Sequence, residues 1–104
     1  MDTYENITVN KLANIYFEGK VISRKITFSD NTIKTLGIMV PGQYEFKTQL
    51  KELMEIVSGE LNFQLKNETN WNIIKDGMSF NVEKDSSFKV KVFIIVNYSC
   101  SSID

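Results

Sequence analysis

Apolar and polar side chains alternate with a period of two along most of the chain from Lys20 onward. This period places successive side chains on opposite faces of a strand, whereas an amphipathic helix needs a period near 3.6. The predicted strands are Lys20–Phe28, Ile33–Val40, Gln43–Thr48, Leu53–Gly59, Glu60–Lys66, Trp71–Lys75, Met78–Val82 and the long segment Ser87–Cys100. Many short, evenly spaced strands without a convincing helix predict an all-β sandwich or barrel.

The alternation also predicts which side chains point into the core. In the last segment one face carries only apolar side chains, and Lys89 and Lys91 lie on the other face. The predicted inward set in this segment is Phe88, Val90, Val92, Ile94 and Val96. The same rule groups Tyr44, Phe46 and Thr48 on one inner face.

Glu52 is the first candidate for a functional role. It shares a face with Met54 and Ile56, so its carboxylate is predicted to point into an otherwise apolar interior. A buried charge costs free energy unless it has a partner or a function. Glu52 therefore either serves a site or accepts hydrogen bonds from nearby backbone amides.

Composition narrows the class of protein. A chain of 104 residues supports one core, and a net charge of −1 provides no field to attract a nucleic acid polymer. The longest apolar run, Val92–Val96, is far below the roughly 20 residues of a membrane span. A single cysteine, Cys100, and no signal-peptide pattern favour a reducing, cytoplasmic location. Cys100 is interpreted as a buried strand residue rather than a nucleophile.

The spacing around Glu52 resembles the first metal-binding motif of cupin barrels, in which a Gly follows a Glu by seven positions. Glu52 and Gly59 keep that spacing, but Phe46 and Thr48 stand where the two motif histidines would be, and Phe88 stands near the third. The chain contains no histidine. A mononuclear site needs three or four His, Cys or carboxylate donors, so no metal and no other cofactor is expected. Nucleophile arrangements that depend on histidine are excluded as well.

A closer resemblance extends over most of the chain after Ile15. The matching segments are Tyr16–Ser23, Leu36–Thr48, Glu52–Leu65, Trp71 and Gly77–Val82. They are similar, in order and almost without gaps, to the small cupin-fold pyrimidine/purine nucleoside phosphorylases. The resemblance implies a single cupin-type antiparallel β-barrel, jelly-roll-like with two facing sheets, over residues 16–104, and a homodimer. Residues 1–15 are interpreted as a divergent lead, and the C-terminal "YSCSS" departs from the family pattern.

The implied activity is that of a pentosyltransferase. Inorganic phosphate would attack C1′ of a purine or pyrimidine ribonucleoside and release the free base and α-ribose 1-phosphate. The predicted partners are therefore a nucleoside and phosphate. Such chemistry needs an anion held behind C1′, stabilisation of a sugar cation, and a proton or hydrogen bond for the departing base.

Each candidate residue has a structural alternative. Glu52 is the catalytic candidate and would contact ribose, stabilise the sugar cation or protonate the base. The substrate-binding candidates are Tyr44, Phe46, Thr48, Phe88 and Ser58, of which the aromatic ones could equally be core residues. Lys20 and Arg24 are the phosphate-binding candidates, with a surface lysine and an arginine stem lying over apolar surface as alternatives.

Two rival functions stay open at this point. The loss of metal ligands also fits a non-catalytic barrel that binds a nucleoside or another small ligand. A structural or partner-binding β-module is the third class. Phosphate-dependent release of base separates the enzyme from both rivals.

Overall fold

The computed structural model describes residues 3–103, which form eleven strands and one short 3-10 turn at Phe17–Gly19. The first five strands are β1 Thr8–Val9, β2 Asn14–Tyr16, β3 Val21–Thr27, β4 Ile33–Met39 and β5 Gly42–Lys47. The others are β6 Glu52–Ser58, β7 Glu60–Leu65, β8 Asn72–Lys75, β9 Ser79–Val82, β10 Ser87–Val92 and β11 Val96–Ser102. Within this range no helix has the length and apolar character needed to cross a bilayer.

The strands form two antiparallel sheets. The larger sheet has the order β1-β3-β4-β11-β6-β9, with β2 also paired to β3, and the smaller one has the order β5-β10-β7-β8. The chain changes sheet at most of its connections from β4 onward, as in a jelly-roll. The two N-terminal strands, β1 and β2, join the larger sheet by antiparallel pairing with β3.

The core lies between the two sheets and is made of the inward side chains. β6 contributes Met54 and Ile56, and β10 contributes Phe88, Val90 and Val92, all of them buried. The predicted inward positions of these strands are confirmed. Stacking of Phe63 on Phe80, with ring centroids 3.9 Å apart, joins the smaller sheet to the larger one.

The predicted barrel closure is wrong. Within residues 3–103 every strand pairs inside its own sheet, and no ladder of backbone hydrogen bonds joins the two sheets. The fold is therefore an all-β sandwich of two facing sheets that are not closed into a barrel. Closure depends on how the edges of twisted sheets meet, which the alternation of side chains does not determine.

The long last segment is two strands rather than one. Residues 93–95 separate β10 from β11, and Ile94, predicted to be buried, is 58% exposed. Val92, at the end of β10, and Val96, at the start of β11, are both buried. Tyr98 and Cys100 continue the same inward set along β11.

A pair of lysine substitutions tests this corrected assignment. Val92 is 3% exposed, so Val92→Lys places an unpaired charge in the core, which costs several kcal/mol against a total stability of about 5–15 kcal/mol. We expect Val92→Lys to abolish soluble folding and Ile94→Lys to melt within a few degrees of the wild type. The yield of soluble protein and circular dichroism during heating measure these outcomes, and equal destabilisation by the two changes would contradict the exposed position of Ile94.

Candidate active site

A cavity of about 180 Å³ lies between the sheets. The larger sheet lines it with inward residues of β4, β6 and β11, and the smaller sheet closes it with residues of β5 and β10. The lining residues are Tyr16, Thr35, Met39, Phe46, Lys47, Glu52, Met54, Phe88, Tyr98 and Cys100. The cavity thus contains Glu52 together with two of the predicted aromatic residues.

Glu52 and Cys100 meet across neighbouring strands. Glu52 is paired with Ser102 in the β6–β11 ladder, and Cys100 lies two positions away on the same face. A long side chain can reach this diagonal neighbour. The thiol of Cys100 donates a hydrogen bond to Glu52 Oε1, with 2.9 Å between the sulfur and oxygen atoms.

The protonation of the cavity wall is controlled mainly by burial. Burial raises the pKa of the Cys100 thiol well above its usual range, and the hydrogen bond to Glu52 and the charge of Glu52 act in the same direction. Burial also raises the pKa of Tyr98 to about 12, although a hydrogen bond with Ser23 opposes the shift. Both groups are therefore neutral hydrogen-bonding groups at neutral pH.

Aromatic rings form the wall opposite Glu52. Phe46 stacks on Phe88 with ring centroids 5.3 Å apart and an angle of 25° between the planes. Phe17 packs edge-on against Phe46, with centroids 5.4 Å apart. The wall offers flat apolar surface of the kind on which a base can stack.

A left-handed turn positions Phe17 and its neighbour Tyr16 at this wall. Phe17, Glu18 and Gly19 have φ values of 51°, 59° and 90°. Two non-glycine residues in succession with positive φ are strained, and surrounding contacts must hold them. Packing of Phe17 on Tyr44, with centroids 5.0 Å apart, supplies such a contact.

Glu52 also borders two recesses outside the cavity. A polar recess of about 790 Å³ shares Tyr16, Thr35, Glu52 and Cys100 with the cavity. The remaining lining residues of this recess are Asn31, Thr32, Ile33, Lys34, Ser101 and Ser102. Its volume falls within the roughly 300–1,000 Å³ of small-molecule sites. A ligand in the cavity can therefore extend past Glu52 into polar surroundings.

The second recess, of about 350 Å³, is lined by Lys47, Gln49, Leu50, Glu52 and Ser102. Lys47 is the one lysine or arginine that lines both this recess and the cavity within residues 3–103. It forms no salt bridge with a carboxylate of the described chain. Lys34, in contrast, pairs with Glu55 at 3.0 Å.

Three predicted substrate-binding residues have structural contacts. The Tyr44 hydroxyl is buried and donates to the Val40 carbonyl oxygen at 2.6 Å. Thr48 Oγ1 donates to the Glu83 carbonyl oxygen at 2.7 Å and accepts from the Ser86 amide at 3.0 Å. These contacts anchor the ends of β5. The Ser58 hydroxyl accepts from Asn97 Nδ2 at 2.9 Å, and Ser58 does not line the cavity.

The two predicted phosphate-binding residues do not line the cavity. Lys20 is exposed between the left-handed turn and β3. Arg24 is exposed, and its guanidinium donates to the Lys11 carbonyl oxygen. The inward positions at this end of β3 belong to Val21 and Ser23, which are buried, so the alternative of an inward phosphate clamp at Arg24 does not match the observed face.

The donors around Glu52 do not fit the metal site that cupin barrels carry. Metal ions in proteins are usually bound by His, Cys, Asp or Glu, and among the residues that line the cavity these types are represented by Glu52 and Cys100. The thiol of Cys100 is directed at the Glu52 carboxylate itself. Residues 3–103 contain no cluster of three such side chains. A mononuclear transition-metal site needs three or four converging ligands.

Several lining residues were not predicted as functional from the sequence. They are Tyr16, Thr35, Met39, Lys47, Met54, Tyr98 and Cys100. Continuing the alternation beyond Val96 would have identified Tyr98 and Cys100. Tyr16 carries no comparable signal, because its position depends on a left-handed turn that contains only one glycine.

Comparison with known proteins identifies the family of this chain. A family model described as pyrimidine/purine nucleoside phosphorylase matches residues 11–102. The chain belongs to this family. A family relative with that name from Colwellia psychrerythraea is 48% identical over 99% of this chain and 99% of its own length. Another with the same name, from Chlorobium chlorochromatii, is 54% identical over 97% of both chains.

Two solved structures have a fold similar to that of this chain. A protein of unknown function from Acinetobacter sp. ADP1 superposes with a TM-score of 0.94 at 35% identity, over 97% of this chain and 98% of that one. The EutQ protein of Clostridium difficile superposes with a TM-score of 0.66 at 10% identity, over 79% of this chain and 66% of that one. The second likeness concerns the fold alone, which is cupin-like.

The raised thiol pKa leads to a test by alkylation. Because the thiolate is the reactive form, we expect iodoacetamide at about pH 8 to alkylate folded protein at least about tenfold more slowly than urea-unfolded protein. Glu52→Gln removes a negative charge that opposes the thiolate, so alkylation of the folded variant should be faster. Mass spectrometry follows the single cysteine. Equal rates for folded wild type and Glu52→Gln would contradict the assigned contact.

Proposed function

We propose that this protein is a metal-independent nucleoside phosphorylase that acts on purine and pyrimidine ribonucleosides. The observation that carries the proposal is the position of Glu52, whose carboxylate lies between an aromatic cavity and polar recesses. Membership of the family, with relatives of that name matched over nearly their full length, supports the same activity.

In the proposed complex the base stacks on Phe46 and Phe88, and the ribose extends past Glu52. Stacking depends little on which base is bound, so it suits both purines and pyrimidines. A carboxylate beside the sugar stabilises the positive charge that develops at C1′ as the glycosidic bond breaks. An oxygen of hydrogen phosphate bonds to C1′, the electron pair of the C1′–N bond leaves with the base, and the base takes up the proton that the attacking hydrogen phosphate loses.

Phosphate brings negative charge to a site that already contains the Glu52 carboxylate. Two like charges at close range repel, so the phosphate needs a cation. Lys47 is the candidate because it lines the recess next to Glu52 and has no carboxylate partner within residues 3–103. A lysine acts on phosphate as a point charge on a flexible stem. Gln49 and Ser102 would add polar contacts in the same recess.

The decisive experiment is incubation with a panel of nucleosides in the presence of a chelator, with and without phosphate, followed by chromatography of the free bases. We expect base release only with phosphate. The sharpest variant is Glu52→Gln, which keeps the shape of the side chain but loses its charge. Its kcat on uridine and inosine should fall about 10²-fold or more, near 3 kcal/mol of barrier, with little change in nucleoside binding.

Phe46→Ala is the matched contrast, because it removes stacking surface and leaves the charge in place. Its main effect should be weaker nucleoside binding for several bases. Wild-type turnover in Glu52→Gln would remove this residue from the mechanism. A thermal shift on adding nucleoside without any base release would instead favour the rival ligand-binding function.

The phosphate site has its own test. We expect Lys47→Ala to raise the KM for phosphate about tenfold or more, because the phosphate loses its nearest cation, and to leave nucleoside binding in the absence of phosphate unchanged. Lys89→Ala, on the exposed face of β10, is the control. Lys20→Ala and Arg24→Ala are the competing variants, and a larger effect from either would return the phosphate site to the residues predicted from the sequence. A homodimer and a cytoplasmic location remain predictions.

A further inference from the structure

The contact between Cys100 and Glu52 has no role in the reaction as proposed so far. It joins two strands of the larger sheet, β6 and β11, at the wall of the cavity. Within residues 3–103, the thiol is the one side chain that hydrogen-bonds to the Glu52 carboxylate. The orientation of that carboxylate therefore depends on a single polar contact.

We infer that Cys100 is a positioning residue, whose thiol holds the Glu52 carboxylate in the orientation that the proposed phosphorolysis requires. This inference rests on the proposed function. The thiol occupies Oε1, which leaves Oε2 free to contact the sugar of a bound nucleoside. A glutamate side chain has several rotatable bonds, and ordering it before the substrate binds reduces the entropy lost on the way to the transition state.

The chemistry of a thiol suits this role. Because burial raises the pKa of Cys100, the sulfur keeps its proton at neutral pH and acts as a donor. A thiol is also a weak donor compared with a hydroxyl or an ammonium group. It can orient the carboxylate while leaving most of the negative charge available to the developing sugar cation.

The inference predicts that Cys100→Ala lowers kcat about tenfold, while the KM for nucleoside stays within about twofold. A tenfold loss of rate corresponds to the free energy that roughly one hydrogen bond contributes. Cys100→Ser should restore most of the lost kcat, because the hydroxyl can donate to the same oxygen. Ser99→Ala is the matched control on β11. Ser99 is 2% exposed but does not line the cavity, and its hydroxyl has no hydrogen-bond partner within residues 3–103.

A double-mutant cycle separates positioning from a general loss of packing. Positioning through Glu52 requires that Cys100→Ala has no further effect on kcat when Glu52 is already glutamine. A merely structural role would lower kcat by the same factor in both backgrounds. That result, or an unchanged kcat in Cys100→Ala, would overturn the inference.

The contact itself can be measured without activity. The chain has one cysteine, so the S–H stretching band in the infrared spectrum has a single source. We expect the band to move to higher frequency in Glu52→Gln, because a neutral amide oxygen accepts more weakly than a carboxylate. An unchanged band in a protein whose wild type is active rejects the positioning role. Absence of phosphorolysis in the wild type rejects the proposed function instead, whatever the band does.

Discussion

Contact between inward apolar side chains is the interaction that holds the two sheets together. Within residues 3–103 no ladder of backbone hydrogen bonds crosses from one sheet to the other, so the sandwich depends on interlocking residues such as Phe63 and Phe80. Burial of these side chains also explains the strict alternation along the strands, since a slip of one residue would expose the core face. The cavity is the part of this interior where the side chains from the two sheets do not fill the space.

The sequence predicted most of the fold because the alternation is local and clear. The predicted strand Ile33–Val40 is observed as Ile33–Met39, for example. The prediction failed where contacts between segments distant in the sequence determine the structure. Phe93, Ile94 and Ile95 favour a strand by composition, yet the chain must leave the smaller sheet there to enter the centre of the larger one. Whether the edges of the two sheets meet and close a barrel likewise depends on the twist of the sheets and not on any single residue.

The sequence also predicted part of the candidate site. It missed the residues whose positions depend on contacts between distant segments. Glu52, Phe46 and Phe88 line one cavity because their strands keep the predicted faces. Lys47 was missed because alternation alone assigns it outward, whereas it lies at the last position of β5 and lines the cavity. The acceptor and donor pair of Glu52 and Cys100 was missed because it depends on which strands are neighbours. The sequence separates these two residues by 48 positions.

The lack of a hydrogen-bond ladder between the two sheets within residues 3–103 bears on the cost of widening the cavity between them. In a closed barrel, widening the interior would break hydrogen bonds between strands. Here, within residues 3–103, no ladder of hydrogen bonds between strands of the two sheets would have to break. The purine and pyrimidine bases of the proposed reaction differ mainly in the length of their flat ring system. A sandwich with unjoined edges has a mechanical compliance, in the direction of sheet separation, that a closed barrel of the same sequence length would lack.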